Sequence, residues 1–204
     1  MFEILKSGGI VMVPIIACGL AAVFIIVERF YYFFSIKRRD EKLSRDIENC
    51  ILKNDFQTAE SVCTLADTPC AKVVKNAIEH RKFAERDLKE FIQSKMDLAV
   101  PEFEHNLSAL STISNVSTLL GLLGTVTGNI KAFGVLGNGG TMGDPALLAG
   151  AIAEALVTTV AGLVVAIPAI VFTSYFNSQV NHSIAQMEQT VTSVLFRLTK
   201  KGEA

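Results

Sequence analysis

The sequence predicts an all-α membrane protein with three transmembrane helices, two of which extend into the cytoplasm. The first observation is composition, because 50% of the 204 residues are hydrophobic and the mean hydropathy is +0.40. A globular protein of this size needs a more polar surface than such a chain provides. The second observation is that the apolar residues form three long stretches separated by charged or glycine-rich segments.

The first predicted span lies within residues 1–36. Residues 10–34 are almost wholly apolar up to Glu28 and Arg29, and about 20 apolar residues suffice for a helix to cross the hydrocarbon core. Lys6 stands alone before this stretch, and bulky aromatic residues end it, so the pattern is not that of a cleaved signal peptide. We therefore expect a retained N-terminal transmembrane helix.

The second and third spans are predicted at residues 107–136 and 145–176, with a short periplasmic loop at residues 137–144 between them. The loop is rich in glycine and asparagine, which tolerate a positive φ angle. Asp144 followed by Pro145 is typical of a helix N-cap and first turn. These two spans are expected to form a helical hairpin.

Residues 37–106 and 177–204 are predicted to be cytoplasmic. Lysine and arginine follow span one and span three but are missing from the loop between spans two and three, so the N-terminus is expected outside and the C-terminus inside. Apolar residues recur at helical spacing from Leu88 to Leu107, which predicts a helix that runs straight into span two with Pro101 as the place for a kink. The same spacing from Ile184 to Leu198 predicts that span three continues as a long helix.

Charge and cysteine spacing exclude several classes of function. The 19 Lys+Arg residues balance 20 Asp+Glu residues, and the formal net charge of -1 does not indicate a nucleic-acid partner. The four cysteines include no C-x-x-C pair and have no histidine at ligand spacing, so no metal site and no cofactor are expected.

Glu154 is the acidic residue that lies deep within a predicted span. A carboxylate at that depth costs about 2.5–3.5 kcal/mol on insertion scales, so it should face protein or water rather than lipid. Two interpretations remain open: a position on an ion path, and a hydrogen-bonded link between helices. Thr158 shares the helix face of Glu154, whereas Thr159 is rotated away by about 140°.

Span two carries a polar stripe at steps of three, four and seven residues, in which Leu122 fills the gap. Aligned hydroxyls and amides can replace water around an ion or bond to a neighbouring helix. Any single hydroxyl could instead bond to a carbonyl of its own helix, but that does not explain the alignment. The glycines of this span are explained by close helix packing alone. The stripe consists of Ser111, Asn115, Thr118, Thr125 and Asn129.

Four segments resemble the MotA/TolQ/ExbB proton channel family, and within it the ExbB/TolQ branch. They are residues 121–133 (GLLGTVTGNIKAF), 151–159 (AIAEALVTT), 162–168 (GLVVAIP) and the first span, from GGIVMVP at 8–14 to VERFYY at 27–32. The resemblance implies functional roles for Thr125, Glu154 and Thr159. Because helix geometry favours Thr158 over Thr159, both threonines stay candidates. Where the family often has Ala-Pro, this chain has Ser117 and Thr118.

The resemblance also implies an inner-membrane homopentamer whose pore, lined by spans two and three, encloses helices of an ExbD- or TolR-like single-span partner. Force would pass from this proton-driven motor to a TonB- or TolA-like protein. A sodium-driven motor and a non-conducting membrane scaffold remain alternatives. An intramembrane enzyme is not expected, since the sequence has no H-E-x-x-H, no G-x-S-x-G and no pair of intramembrane aspartates.

Overall fold

The computed structural model describes residues 8–53, 55–138 and 145–199, and within these ranges the regular structure is entirely helical. Most of the predicted glycine-rich turn lies outside these ranges. Asp144, the predicted N-cap of the third span, also lies outside them. Within these ranges six α-helices follow one another: α1 Met12–Leu52, α2 Phe56–Ala66, α3 Pro69–Glu79, α4 Glu85–Glu104, α5 Leu107–Asn138 and α6 Pro145–Thr199.

Among the described residues, three helical stretches are long and apolar enough to cross a membrane. They are Met12–Leu52, Glu85–Gly137 and Pro145–Leu198, and each contains one of the apolar stretches of the sequence. The described part of the chain is therefore all-helical with three candidate membrane-spanning helices, as the sequence predicts.

The helix before span two does not run straight into it, which corrects the sequence prediction. Helix α4 ends at Glu104, His105 is extended with ψ 135°, and Asn106 is left-handed with φ 61°. Asparagine adopts the left-handed conformation more readily than most residues with a side chain. Here Asn106 Nδ2 also donates to Glu28 Oε2 on α1 at 3.2 Å. Pro101 lies inside α4 instead of marking the interruption.

The two longest helices are α1, with 41 residues, and α6, with 55 residues. The continuation of span three through Leu198 agrees with the prediction. The continuation of span one to Leu52 was not predicted, although Ile36, Leu43 and Ile47 lie at helical spacing there and are buried. Both helices are longer than the about 20 residues that cross a bilayer.

The chain divides into two compact units. Unit 1 combines the described residues up to Glu28 with Asn106–Tyr175, and so contains the start of α1, all of α5 and the first part of α6. Its outer surface is apolar to an extent that suits lipid or other subunits rather than water. Exposed large side chains of this unit include Leu20, Phe24, Leu119, Ile130, Phe133, Leu156, Val160 and Val164.

Unit 2 combines Arg29–His105 with the residues from Phe176 onward. Asp55 caps α2 by accepting from the Thr58 amide at 3.0 Å, and Thr68 caps α3 by accepting from the Ala71 amide at 3.2 Å. The Thr68 hydroxyl also donates to Asp40 on α1 at 2.5 Å. The apolar core of this unit includes Leu43, Ile47, Val74, Ile78, Leu88, Ile92, Phe103, Val180, Met187 and Val191.

Two thiols of unit 2 are expected to resist alkylation in the folded protein. Burial raises the pKa of Cys63 to about 12 and also raises the pKa of Cys70. At pH 8 only roughly one Cys63 in ten thousand is then the reactive thiolate. Iodoacetamide followed by peptide mass spectrometry should label the half-buried Cys50 first and both buried thiols only after unfolding. Equal labelling rates in the native protein would contradict this expectation.

Candidate functional site

Helices α5 and α6 pack through faces made of small residues. A Cβ added at Gly162 would lie 2.6 Å from the Ser117 carbonyl oxygen, and one added at Gly128 would lie 2.5 Å from the Ala155 Cβ. Such close backbone approach is possible only where side chains are small or absent. The residues that meet at this interface include Ser117, Gly121, Gly124 and Gly128 on α5, and Ala151, Ala155, Thr158, Thr159 and Gly162 on α6.

Glu154 projects from α6 beside this interface and forms an ion pair with α5. Lys131 Nζ lies 2.6 Å from Glu154 Oε1, and the two side chains are 55% and 23% exposed, respectively. The Glu154 carboxylate is thus paired with the Lys131 ammonium and remains partly accessible to solvent. A charged group in an apolar helix needs such a partner or water.

The beginning of the described chain also contacts Glu154. Gly9 has a φ angle of 63°, and a Cβ added there would overlap Glu154 Oε1. A Cβ added at the adjacent Gly8 would lie 3.4 Å from Thr158 Cγ2. The Gly8–Gly9 backbone therefore lies directly against the side chains of Glu154 and Thr158.

The two candidate threonines of α6 occupy different environments. Thr158 is 1% exposed and packs into the space left by Gly124, and its hydroxyl donates to the carbonyls of Glu154 and Ala155. The half-buried Thr159 donates across the interface to the Gly121 carbonyl at 3.0 Å. Helix geometry placed Thr158 on the Glu154 face, but it is Thr159 that forms a hydrogen bond between the two helices.

The polar stripe lies one residue further along α5 than the buried small residues, which rotates it about 100° around the helix. Asn115, Thr118 and Asn129 are exposed, whereas Ser111 and Thr125 are half-buried. Thr118 donates to the Ser114 carbonyl at 3.1 Å and Thr125 to the Leu122 carbonyl at 2.7 Å. These two hydroxyls use their protons within α5, and their oxygen lone pairs remain available as acceptors.

Lys131 and Gly9 are the two contacts of Glu154 that the sequence analysis missed. Both residues occur in the sequence analysis only within segments that resemble the family, Lys131 in residues 121–133 and Gly9 in residues 8–14. The available signal for Lys131 was that a lysine near the end of an apolar helix needs a counter-ion, and Glu154 is the acid in the adjacent span.

Chemically, this arrangement offers oxygen atoms and one fixed ion pair, but the described residues around Glu154 include no nucleophile activated by a base. Hydroxyl, amide and carboxylate oxygens can replace part of the hydration shell of a cation or hydrogen-bond to a protonated acid. The site is therefore suited to ion passage or to contact with another polar helix.

Comparisons with known proteins identify the same family over a region that includes Lys131, Glu154 and the polar stripe. The sequence profile of the MotA/TolQ/ExbB proton channel family matches residues 65–189. An ExbB-like biopolymer transport protein of Synechocystis sp. is 34% identical over 173 residues, which cover 84% of this chain and 82% of the relative.

More distant relatives carry related names. Biopolymer transport protein ExbB of Neisseria gonorrhoeae is 28% identical over 167 residues, covering 75% of this chain and 74% of the relative. Biopolymer transport protein exbB1 of Vibrio cholerae is 28% identical over 201 residues, covering 94% and 86%.

These matches identify the family to which the chain belongs. Members of the family are multi-pass membrane proteins that act in transport, with partner proteins in a complex, and they are not enzymes. The chain belongs to the MotA/TolQ/ExbB proton channel family, in its ExbB/TolQ branch.

Proposed function

We propose that the chain is the stator subunit of an inner-membrane motor that couples the proton-motive force to work on the cell envelope. The observation that carries the proposal is Glu154, a partly exposed carboxylate within the most apolar candidate span. A charged side chain at that depth costs free energy, which supports a functional position for Glu154 on an ion path. The polar stripe and the Thr159 hydroxyl would add further oxygen atoms to the same path.

In the proposed assembly, a homopentamer surrounds a central pore lined by α5 and α6. The stripe is exposed or half-buried in the single chain, which is the condition that a pore-lining surface must meet. The polar stripe, formed by Ser111, Asn115, Thr118, Thr125 and Asn129, would face the pore. The faces of small residues would hold each α5 against the α6 of the same chain. Membrane lipids would cover the apolar outer surface.

An ExbD- or TolR-like single-span protein is the proposed partner inside the pore, and a TonB- or TolA-like protein would receive the force. The names of the relatives support transport of biopolymers by those proteins. One charge that crosses a potential of 100 mV releases about 2.3 kcal/mol, which the motor can use only if a mobile acid meets each side in turn. Glu154 is paired to Lys131, so the mobile acid is assigned to the partner and Glu154 to the fixed pore wall.

The proposed topology follows the distribution of lysine and arginine. Residues 1–36 would contain the N-terminal segment and first span, with the N-terminus periplasmic, and residues 137–144 would form the periplasmic loop. Residues 37–106 and 177–204 would then be cytoplasmic and carry the positive charges. Tagging each terminus with a reporter that is active on only one side of the membrane would test this orientation.

Protons are favoured over sodium as the driving ion. A sodium site needs several converging oxygen ligands, but Lys131 already occupies Glu154 Oε1 and two stripe hydroxyls donate to their own helix. We expect the complex in proteoliposomes to keep its activity in sodium-free buffer at a fixed membrane potential, and to respond to the pH gradient. The Thr118→Pro variant should show the same lack of sodium dependence.

The opposite result would favour the sodium-driven alternative. If activity vanishes without sodium and Thr118→Pro shifts the sodium dependence, the Thr118 hydroxyl is a sodium ligand. The assignment of protons as the driving ion is then wrong. A non-conducting scaffold would instead show no ion flux in either buffer, with or without the partner.

A further inference from the structure

The Glu154 carboxylate is held from two sides by elements distant in sequence. Lys131 of α5 donates to Oε1 at 2.6 Å, and the Gly9 backbone lies against the same oxygen. A glutamate side chain has three rotatable bonds and samples several rotamers unless its surroundings restrict it. Here one oxygen atom is bonded on one side and sterically confined on the other.

Gly9 is suited to this contact for two independent reasons. Its φ angle of 63° lies in the left-handed region, which residues with a Cβ rarely adopt. Its missing side chain also leaves the space that Glu154 Oε1 occupies. A larger residue would both strain the turn and displace the carboxylate.

We propose that Lys131 and Gly9 are positioning residues that fix the Glu154 carboxylate in one orientation toward the ion path. This inference rests on the proposed role of Glu154 in ion passage. A fixed carboxylate needs no reorganisation when an ion arrives, which is the advantage of a preorganised electrostatic site. Neither positioning residue needs to contact the ion itself.

The first test measures proton uptake by proteoliposomes that contain the complex purified through a tag on this chain, driven by a potassium diffusion potential. Lys131→Gln should lower the flux by about three- to tenfold, the range that an interaction between membrane helices is worth. Lys131→Arg keeps the cation and should restore most of the flux. Lys72→Gln is the matched control, because Lys72 forms a 2.9 Å ion pair with Glu102 and is 53% exposed, but lies in unit 2.

The second test does not depend on ion flux. Gly9→Ala should lower the Tm of the detergent-solubilised complex more in the wild-type background than in the Glu154→Ala background. The strain of a positive φ angle is common to both backgrounds and cancels in this comparison, so the difference reports the contact with Glu154. Equal drops in Tm would overturn the part of the proposal that concerns Gly9.

The outcomes separate this inference from the proposed function. If Glu154→Gln abolishes the flux but Lys131→Gln keeps or exceeds the wild-type flux, the proposed function stands and the positioning role of Lys131 is wrong. If Glu154→Gln itself keeps the wild-type flux, both are wrong. A loss of flux in Lys131→Gln without rescue by arginine would also contradict positioning by the cation.

Discussion

We expect that replacing Glu154 by glutamine abolishes energised proton flux while the oligomer still assembles. Glutamine keeps the size of the side chain and one acceptor oxygen but removes its negative charge. The Lys131 ammonium, which lies 2.6 Å from Oε1 in the native chain, would then stand without its carboxylate and repel passing cations. A loss of at least about a hundredfold is expected, because removing one group from a preorganised electrostatic site typically lowers the rate by about 10²–10³. Proton uptake by proteoliposomes and size-exclusion chromatography measure the two quantities.

Glu102→Gln is the matched control for this prediction. Glu102 also accepts from a lysine, Lys72, but both side chains are well exposed in unit 2, and exposed ion pairs contribute little. Its flux should stay close to that of the native chain. Wild-type flux in the Glu154 variant would remove the residue from the ion path, whereas a loss of assembly would favour its role as a link between helices.

Adding a single methyl group at Gly162 destabilises the packing of α5 against α6. The new Cβ would lie 2.6 Å from the Ser117 carbonyl oxygen and 3.0 Å from the Gly121 Cα, and both of these are backbone atoms that cannot rotate away. Overpacking of this kind costs about 1–3 kcal/mol. In a chain of this length, each kcal/mol lowers the Tm by about 2–4 °C. Thermal unfolding of the Gly162→Ala variant in detergent measures the effect.

Gly150→Ala on the same helix should have the opposite sign or no effect. A Cβ at Gly150 meets no atom within 4 Å in the described part of the chain, and alanine is the better helix former by about 1 kcal/mol. Comparing the two variants therefore separates helix propensity from close packing. If both variants unfold at the same temperature, the close approach at Gly162 does not contribute to stability.

Apolar stretches and helical periodicity were sufficient to predict the three spans and the length of α6. The interruption at Asn106 could not be predicted in this way, because it depends on the backbone angles of one residue and on its hydrogen bond to Glu28, which is far away in sequence. The extension of α1 to Leu52 was predictable from apolar residues at helical spacing. The many charged residues between them made this spacing hard to recognise in the sequence.

The surroundings of Glu154 were less predictable than the residue itself. Its unusual depth in an apolar span is visible in the sequence, but the pairing with Lys131 depends on the register in which α5 and α6 meet. Close contacts at Gly124, Gly128 and Gly162 fix that register, and a helical wheel of one helix contains no information about them. For the same reason the wheel selected Thr158, whereas Thr159 forms the hydrogen bond between the helices.

In α5 and α6, the residues that align the two helices are not the residues that form the neighbouring polar face. Because α5 and α6 are aligned largely by backbone atoms and missing side chains, the alignment does not depend on the chemical character of the neighbouring polar face. A residue such as Thr118, which lies on the polar face and outside this interface, can therefore change while the two helices keep their register. Substitutions on the polar face can then change the hydrogen-bonding groups that it offers without a compensating change at the helix interface.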